Sequence, residues 1–463
     1  MSGVEPILAA VDEGLGAALG RLFELIRIPS VSTDAAHASD CRAAAEWLVR
    51  DLESFGARAS LRETQGLPMV VGHLPGPEGA PHVLFYGHYD VQPAGDPALW
   101  QRPAFEPALV PAGGGETHIT GRGASDDKGA LMTFVEACRA WVAVRGALPL
   151  GVTFLFEGEE ESGSRSMQRF LEATAAELAC DAVLVCDSDQ WDAATPAVTT
   201  MIRGICAQEI TVSCADRDLH SGIYGNAARN ALGLLVELLA SLRRPDGGVA
   251  IEGFYDGVAE VPDAVQEIWS RLPFDGVKFL GDVGLTVPAG EAGRPVAEQV
   301  WSRPSCDIHG IWGGYADPGF KTVIPAEAHA KLSFRLVEGQ DPARIAALFR
   351  AHVRARMPAD CKVSFEDHTM GRPVAMPVDG PFLKATLGAL RDEWGEVAVA
   401  GTGGSIPIVG ALKEATGADA LLVGFASLSN RIHAPDEKFD LSSFHRGTRS
   451  WVRILDALSR VAR

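Results

Sequence analysis

Apolar positions fall into two recurring patterns over the first two hundred residues. Residues 83–86, 152–156 and 182–186 are nearly continuous apolar runs. Such runs predict short strands buried on both faces of a mainly parallel sheet. Between the first two, Leu131, Phe134, Val135, Cys138, Trp141 and Val142 recur at helical spacing, which predicts a helix over 129–145. Another helix is predicted near the start, with Ile7, Leu8, Val11, Leu15, Leu19, Leu22 and Phe23 on one side. Strands that alternate with helices imply an α/β sandwich, a sheet covered by helices.

Near residue 200 the pattern changes. Residues 207–214 (AQEITVSC) and 328–336 (AHAKLSFRL) alternate as half-exposed strands do, and helices are predicted over 230–242 and 342–356. This reads as a smaller α+β unit with an antiparallel sheet. The first pattern then returns, with helices over 381–394 and 408–416, a strand over 420–425 and a last helix from Ser442. The expected organisation is a discontinuous domain, 1–200 plus 377–463, with a second domain inserted at 201–376.

A chain of 463 residues has room for two cores. Its 41 basic and 60 acidic residues give a net charge of −19, which argues against nucleic acid or an anionic membrane as partner. No apolar run approaches the ~20 residues of a membrane span. The N-terminal residues lack a basic stretch leading into an apolar one, so no signal peptide is expected. Eight cysteines without a Cys-x-x-Cys pair suit a reduced, cytoplasmic protein.

Ligands of open α/β sheets bind beyond the carboxyl ends of the strands. There the sequence places Gly87-His88-Tyr89-Asp90, then Glu157-Gly158-Glu159-Glu160-Glu161, then Asp187-Ser188-Asp189, and finally His433. A further loop puts Asp126 and Asp127 just before a helix. So many carboxylates repel one another unless a cation compensates, and a mixed His/Asp/Glu set suits zinc, manganese or cobalt. His88 and Asp90 point the same way on an extended segment, so Asp90 can accept the free ring N–H of His88.

The segments YGHYDVQP (86–93), GRGASDDKG (121–129), EGEEESGS (157–164), HSGIYG (220–225), KTVIPAEAHAKLSFRLV (321–337), GTGGSIP (401–407) and RIHAPDEKF (431–439) extend these clusters. In this order they resemble the zinc-dependent exopeptidase family of carnosinases, cytosolic dipeptidases, aminoacylases, desuccinylases and glutamate carboxypeptidases. The wording is nearest the carnosinase and dipeptidase branch. The resemblance implies two divalent metal ions per subunit, with Asp126 bridging them. His88 and Asp187 would hold one ion, and Glu161 and His433 the other. Asp187 is preferred for its spacing from Asp181, with Asp189 as the alternative. Glu160 would be the general base toward a metal-bridging hydroxide, Asp90 would orient His88, and Glu159 would be a bystander. The Asp126–Asp127 peptide bond is expected to be cis.

By the same resemblance, the inserted domain is a lid and dimerisation domain. Its His220 would stabilise the oxyanion in the partner subunit of a homodimer. Arg335 would grip the substrate carboxylate, helped by Thr322 and the Gly403-Gly404-Ser405 loop; His368 is a weaker candidate. The implied reaction is hydrolysis of an amide next to a carboxylate, as in a dipeptidase. An N-acyl-amino-acid deacylase or a glutamate-type carboxypeptidase would use the same metal site. A catalytically dead metal- or peptide-binding relative would lack a ligand or the base, and every such position is filled here.

Overall fold

The computed structural model describes residues 3–462. They form two compact units: residues 3–200 with Met376–Ala400 and 411–462, and Met201–Ala375 with Gly401–Gly410. The segment Gly401–Gly410 therefore belongs with the second unit, whereas the pattern of the sequence left it with the first. Packing explains this: a side chain at Gly401 would meet Trp301 Cβ at 2.6 Å, and Arg203 donates to the Gly403 carbonyl at 3.1 and 3.0 Å.

At the centre of the first unit, strand His82–His88 lies between Gly151–Glu157 and Ala182–Val185, parallel to both. Ala420–Gly424 continues the parallel set beside Ala182–Val185. Antiparallel strands extend it: Met69–Leu74 and Arg58–Arg62 on one side, Ala197–Ile202 on the other. The three predicted runs are these central strands, and all seven residues of Gly151–Glu157 are buried. The register pairs His88 with Glu157 and Tyr86 with Val185, so the carboxyl ends of the strands finish at one edge.

Helix Lys128–Arg145 packs on strand His82–His88, flanked by Glu5–Ile26 and Leu441–Leu458. Phe134 stacks on Phe85 with ring centroids 3.8 Å apart, and Trp451 meets Phe134 edge-on at 5.3 Å. Each fully buried ring of this kind contributes roughly 1.5–3 kcal/mol. The helix stops at Gly146, whose φ of +78° is cheap only for glycine.

The second unit is built on an antiparallel sheet in the order Ser305–Gly313, Glu327–Leu336, Gly204–Ser213, Lys362–Gly371. Burial along Gly204–Ser213 alternates residue by residue, as the sequence pattern predicted. The buried face carries Ile210, Val212 and Phe334 and packs with Leu235, Leu238 and Phe349 of helices Ala231–Ala240 and Pro342–Arg354. Asn230 caps the first helix and Asp341 the second, each accepting amide N–H groups of the opening turn. No helix among the described residues is long and apolar enough to cross a membrane.

Candidate metal centre

Every predicted metal-ligand position lies in the first unit, at or beyond the carboxyl ends of its strands. His88 closes strand His82–His88. Its Nε2 lies 3.1 Å from Asp126 Oδ1, and its Nδ1 lies 3.0 Å from the Asp90 carbonyl and 3.4 Å from the Asp90 carboxylate. The other oxygen of Asp126 is 2.9 Å from His433 Nε2, which in turn is 3.3 Å from Glu161 Oε2. Asp126 thus stands between two imidazoles, one on each oxygen. The Asp126–Asp127 peptide bond is cis.

Two groups of ligand atoms result, each within 4.8 Å: His88, Asp126 and Asp187, and Asp126, Glu161 and His433. Asp126 belongs to both. Asp189 belongs to neither; it is exposed and forms a bridge to Ala426. Burial by itself would raise the pKa of Asp126, but hydrogen bonds from His433 and His88 outweigh it and hold the carboxyl well below the usual range. Hydrogen bonds to Asp126 and Glu161 push His433 up to about 10. Burial near Asp126 and Glu161 pushes Asp187 up to about 7, and burial near Asp187 and Glu161 pushes Glu160 up to about 8. Acids so placed are poorly compensated by two imidazoles. A pair of divalent cations fits this donor set of nitrogen and oxygen atoms.

The turn Glu160–Ser162 carries the base candidate beside a ligand candidate and ends at Gly163, where φ is +94°. Asp90 does more here than face His88. Its carboxylate accepts the amide N–H of Glu160 at 3.3 Å and of Glu161 at 3.0 Å. Asp90→Asn would turn an NH2 group against one of those donors, so kcat/KM is expected to fall about 10–100-fold, as for other residues that orient metal ligands. Steady-state kinetics at saturating metal checks this; an unchanged rate would remove Asp90 from the site.

Glu159 is not a bystander to the local structure. It is buried and accepts from Leu67 N at 3.3 Å and Ser166 N at 3.0 Å, which anchors the loop. Gln92, which sequence reasoning passed over, donates to Glu161 Oε2 at 2.8 Å. Its signal was its place in YGHYDVQP, two residues beyond Asp90.

The remaining candidates lie in the second unit. His220 is exposed, and its Nδ1 accepts from Gly222 N at 2.9 Å. Thr322 is its neighbour through the bond from Ser221 N to the Thr322 carbonyl at 3.1 Å. Arg335 donates to Ser405 Oγ at 2.7 Å and pairs with no carboxylate among the described residues. Gly404 N donates to Thr402 Oγ1 at 3.2 Å. Arg203, missed in the sequence, holds the same loop; burial and the charge of Arg335 lower its pKa to about 10. His368 is exposed and lies 3.4 Å from Glu209.

Residues 84–457 match peptidase family M20/M25/M40. The chain is 27% identical to the Cys-Gly metallodipeptidase dug1 of Schizosaccharomyces pombe, over 99% of each sequence. It is 29% identical to the cysteinylglycine-S-conjugate dipeptidase of Corynebacterium striatum, over 90% of each. Among solved structures, the di-peptidase Dug1p from Saccharomyces cerevisiae superposes with a TM-score of 0.81 at 26% identity, covering 100% of both chains. The metallo-carboxypeptidase Sso-CP2 from Sulfolobus solfataricus superposes with a TM-score of 0.84 at 27% identity, covering 96% of this chain and 99% of that one. The matched span takes in all the candidate ligands of the metal centre, and the chain belongs to peptidase family M20/M25/M40: it is a metal-dependent peptidase.

Proposed function

We propose that this protein is a cytoplasmic dipeptidase that uses two divalent metal ions, Zn2+ in the first place, with Mn2+ or Co2+ as alternatives. The observation that carries the reading is Asp126 between His88 and His433, each side completed by a further acid. Asp126 would bridge the two ions, with His88 and Asp187 on one and Glu161 and His433 on the other. When bound, the ions would lower the pKa of a shared water and polarise the scissile carbonyl.

Glu160 takes the proton of the attacking water and returns it to the leaving amine. Asp90 keeps His88 and the Glu160–Ser162 turn in place. In a homodimer, His220 of each subunit serves its partner's site. Because His220 Nδ1 accepts from Gly222 N, the ring proton belongs on Nε2, which can donate to the tetrahedral oxyanion. A mixed dimer of His220→Ala and Glu160→Gln subunits should recover part of the activity; no recovery would count against sharing. All eight cysteines are free, in keeping with a reducing compartment.

Arg335 binds the substrate carboxylate, helped by Ser405, Gly404 and Thr322. Its guanidinium fork matches both carboxylate oxygens. Losing a charge-assisted pair of ~1.5–3 kcal/mol should raise KM about 10–100-fold in Arg335→Ala. A peptide with an amidated C-terminus should show no such change, and equal effects on both substrates would overturn the role.

The deciding experiment is a hydrolysis screen of the metal-loaded protein. It sets Cys-Gly, β-Ala-His and other free dipeptides beside longer peptides and N-acetyl and N-succinyl amino acids, with and without chelator. Chelator-sensitive cleavage of free dipeptides is expected. Preference for longer peptides would favour a carboxypeptidase, a reading supported by the likeness to Sso-CP2. Cleavage of acylated amino acids alone would make it a deacylase.

A further inference from the structure

The motif RIHAPDEKF contributes His433 to the metal centre, yet its most heavily bonded side chain is Glu437. Glu437 is completely buried. One carboxylate oxygen accepts from Arg122 Nη1 at 2.7 Å and Gly123 N at 3.1 Å. The other accepts from Ser125 N at 2.9 Å and Asp126 N at 3.1 Å. Its carbonyl accepts from Gly121 N at 3.0 Å. Asn430 adds a bond to Ser125 Oγ at 3.0 Å.

These contacts join the two loops that present Asp126 and His433. The loops leave paired strand ends, since Lys438 is opposite Thr120 in the antiparallel pairing of Lys438–Asp440 with Thr117–Thr120. Gly123, at φ +84°, lets the backbone turn its amides toward one point. A side chain there would meet Val91 Cγ1 at 2.8 Å. Converging amides of this kind form a nest for an anion, and here the anion is a side chain of the protein itself. A buried carboxylate is costly unless paired and hydrogen-bonded, and Glu437 is both.

We propose that Glu437 is a positioning residue for the metal centre. It fixes the backbone of Asp126 and, four residues from His433, locks the loop of the shared carboxylate to the loop of its imidazole partner. This rests on Asp126 and His433 being metal ligands. A glutamine cannot replace it. Each oxygen faces two donors, so an amide NH2 would be set against two of them wherever it is placed.

The test is calorimetric titration of Zn2+ into metal-free wild type, Glu437→Gln and Glu437→Asp, with thermal melts in chelator and kcat and KM at saturating Zn2+. Glu437→Gln is expected to weaken Zn2+ binding about 10–100-fold, as loss of a residue that orients ligands does elsewhere. KM should stay near the wild-type value once metal is saturating. Glu437→Asp keeps the charge on a shorter arm and should restore part of the affinity. A melting temperature lowered in chelator with unchanged Zn2+ affinity would reduce Glu437 to a fold anchor and overturn the proposal. If Glu437→Gln does not fold, wild-type Zn2+ affinity in folded Glu437→Asp overturns it equally. Failure of wild type to bind Zn2+ would instead refute the metal-centre reading beneath it.

Discussion

Glu160→Gln is expected to lower kcat about 1,000-fold while leaving both metal equivalents bound, inside the ~10²–10⁴ range a positioned acid–base group supplies. The substitution keeps the size of the side chain and the backbone bond from Glu160 N to Asp90. What it removes is the ability to accept a proton. Glu160 stands outside both groups of ligand atoms, so its loss should not release metal. Its pKa of about 8 reflects burial beside Asp187 and Glu161. Cations held by those two acids would relieve the repulsion and leave Glu160 ionised near neutrality, as a base requires. Glu161→Gln, one residue further on, should behave differently and lose metal. Initial rates with metal analysis of each variant separate the two. Near-normal turnover in Glu160→Gln would sink the assignment, and loss of a metal equivalent would make Glu160 a ligand.

Much of this site was legible in the sequence because strand ends are legible. The central strands are buried on both faces, so their apolar runs stand out, and the polar residues just beyond them mark the ligand-binding edge. The clusters that contain His88, Glu161, Asp187 and His433 were found this way, and Asp126 stood out in a loop before a helix; which residue takes which role rested on family resemblance. The hidden part consists of residues whose work depends on tertiary contact. Glu437 sits 311 residues from the Asp126 amide it receives, and Arg122 sits 315 residues from Glu437. Glu159 looked idle within a run of three acids, yet it is tied to Leu67, 92 positions away. The edge strand Arg58–Arg62 escaped notice in turn, since it is exposed or half-buried throughout and shows no apolar run. The segment Gly401–Gly410 followed the strand before it in sequence but packs with Trp301 and Arg203 of the other unit.

Asp126→Ala should be more damaging than any other single change, abolishing measurable turnover with no rescue by added metal. It removes the only acid common to both groups of ligand atoms, so neither ion would keep its full set. Chelated wild type should lose activity as completely but regain it when metal is restored. Stability gives a second readout. A ligand that binds only the folded state stabilises it by ~2.7 kcal/mol at a hundred times its Kd. All the candidate ligands are in the first unit, so melting of that unit should respond to metal in wild type and be indifferent to it in Asp126→Ala. The variant should also melt earlier than wild type in chelator. The carboxyl of Asp126 is held low by His433 and His88 against the cost of burial, and a depressed carboxyl contributes stability above its unfolded pKa, hence at neutral pH. Calorimetry with and without chelator, together with metal content, tests each point. A variant that still binds two ions and is stabilised by them would show that Asp126 does not bridge.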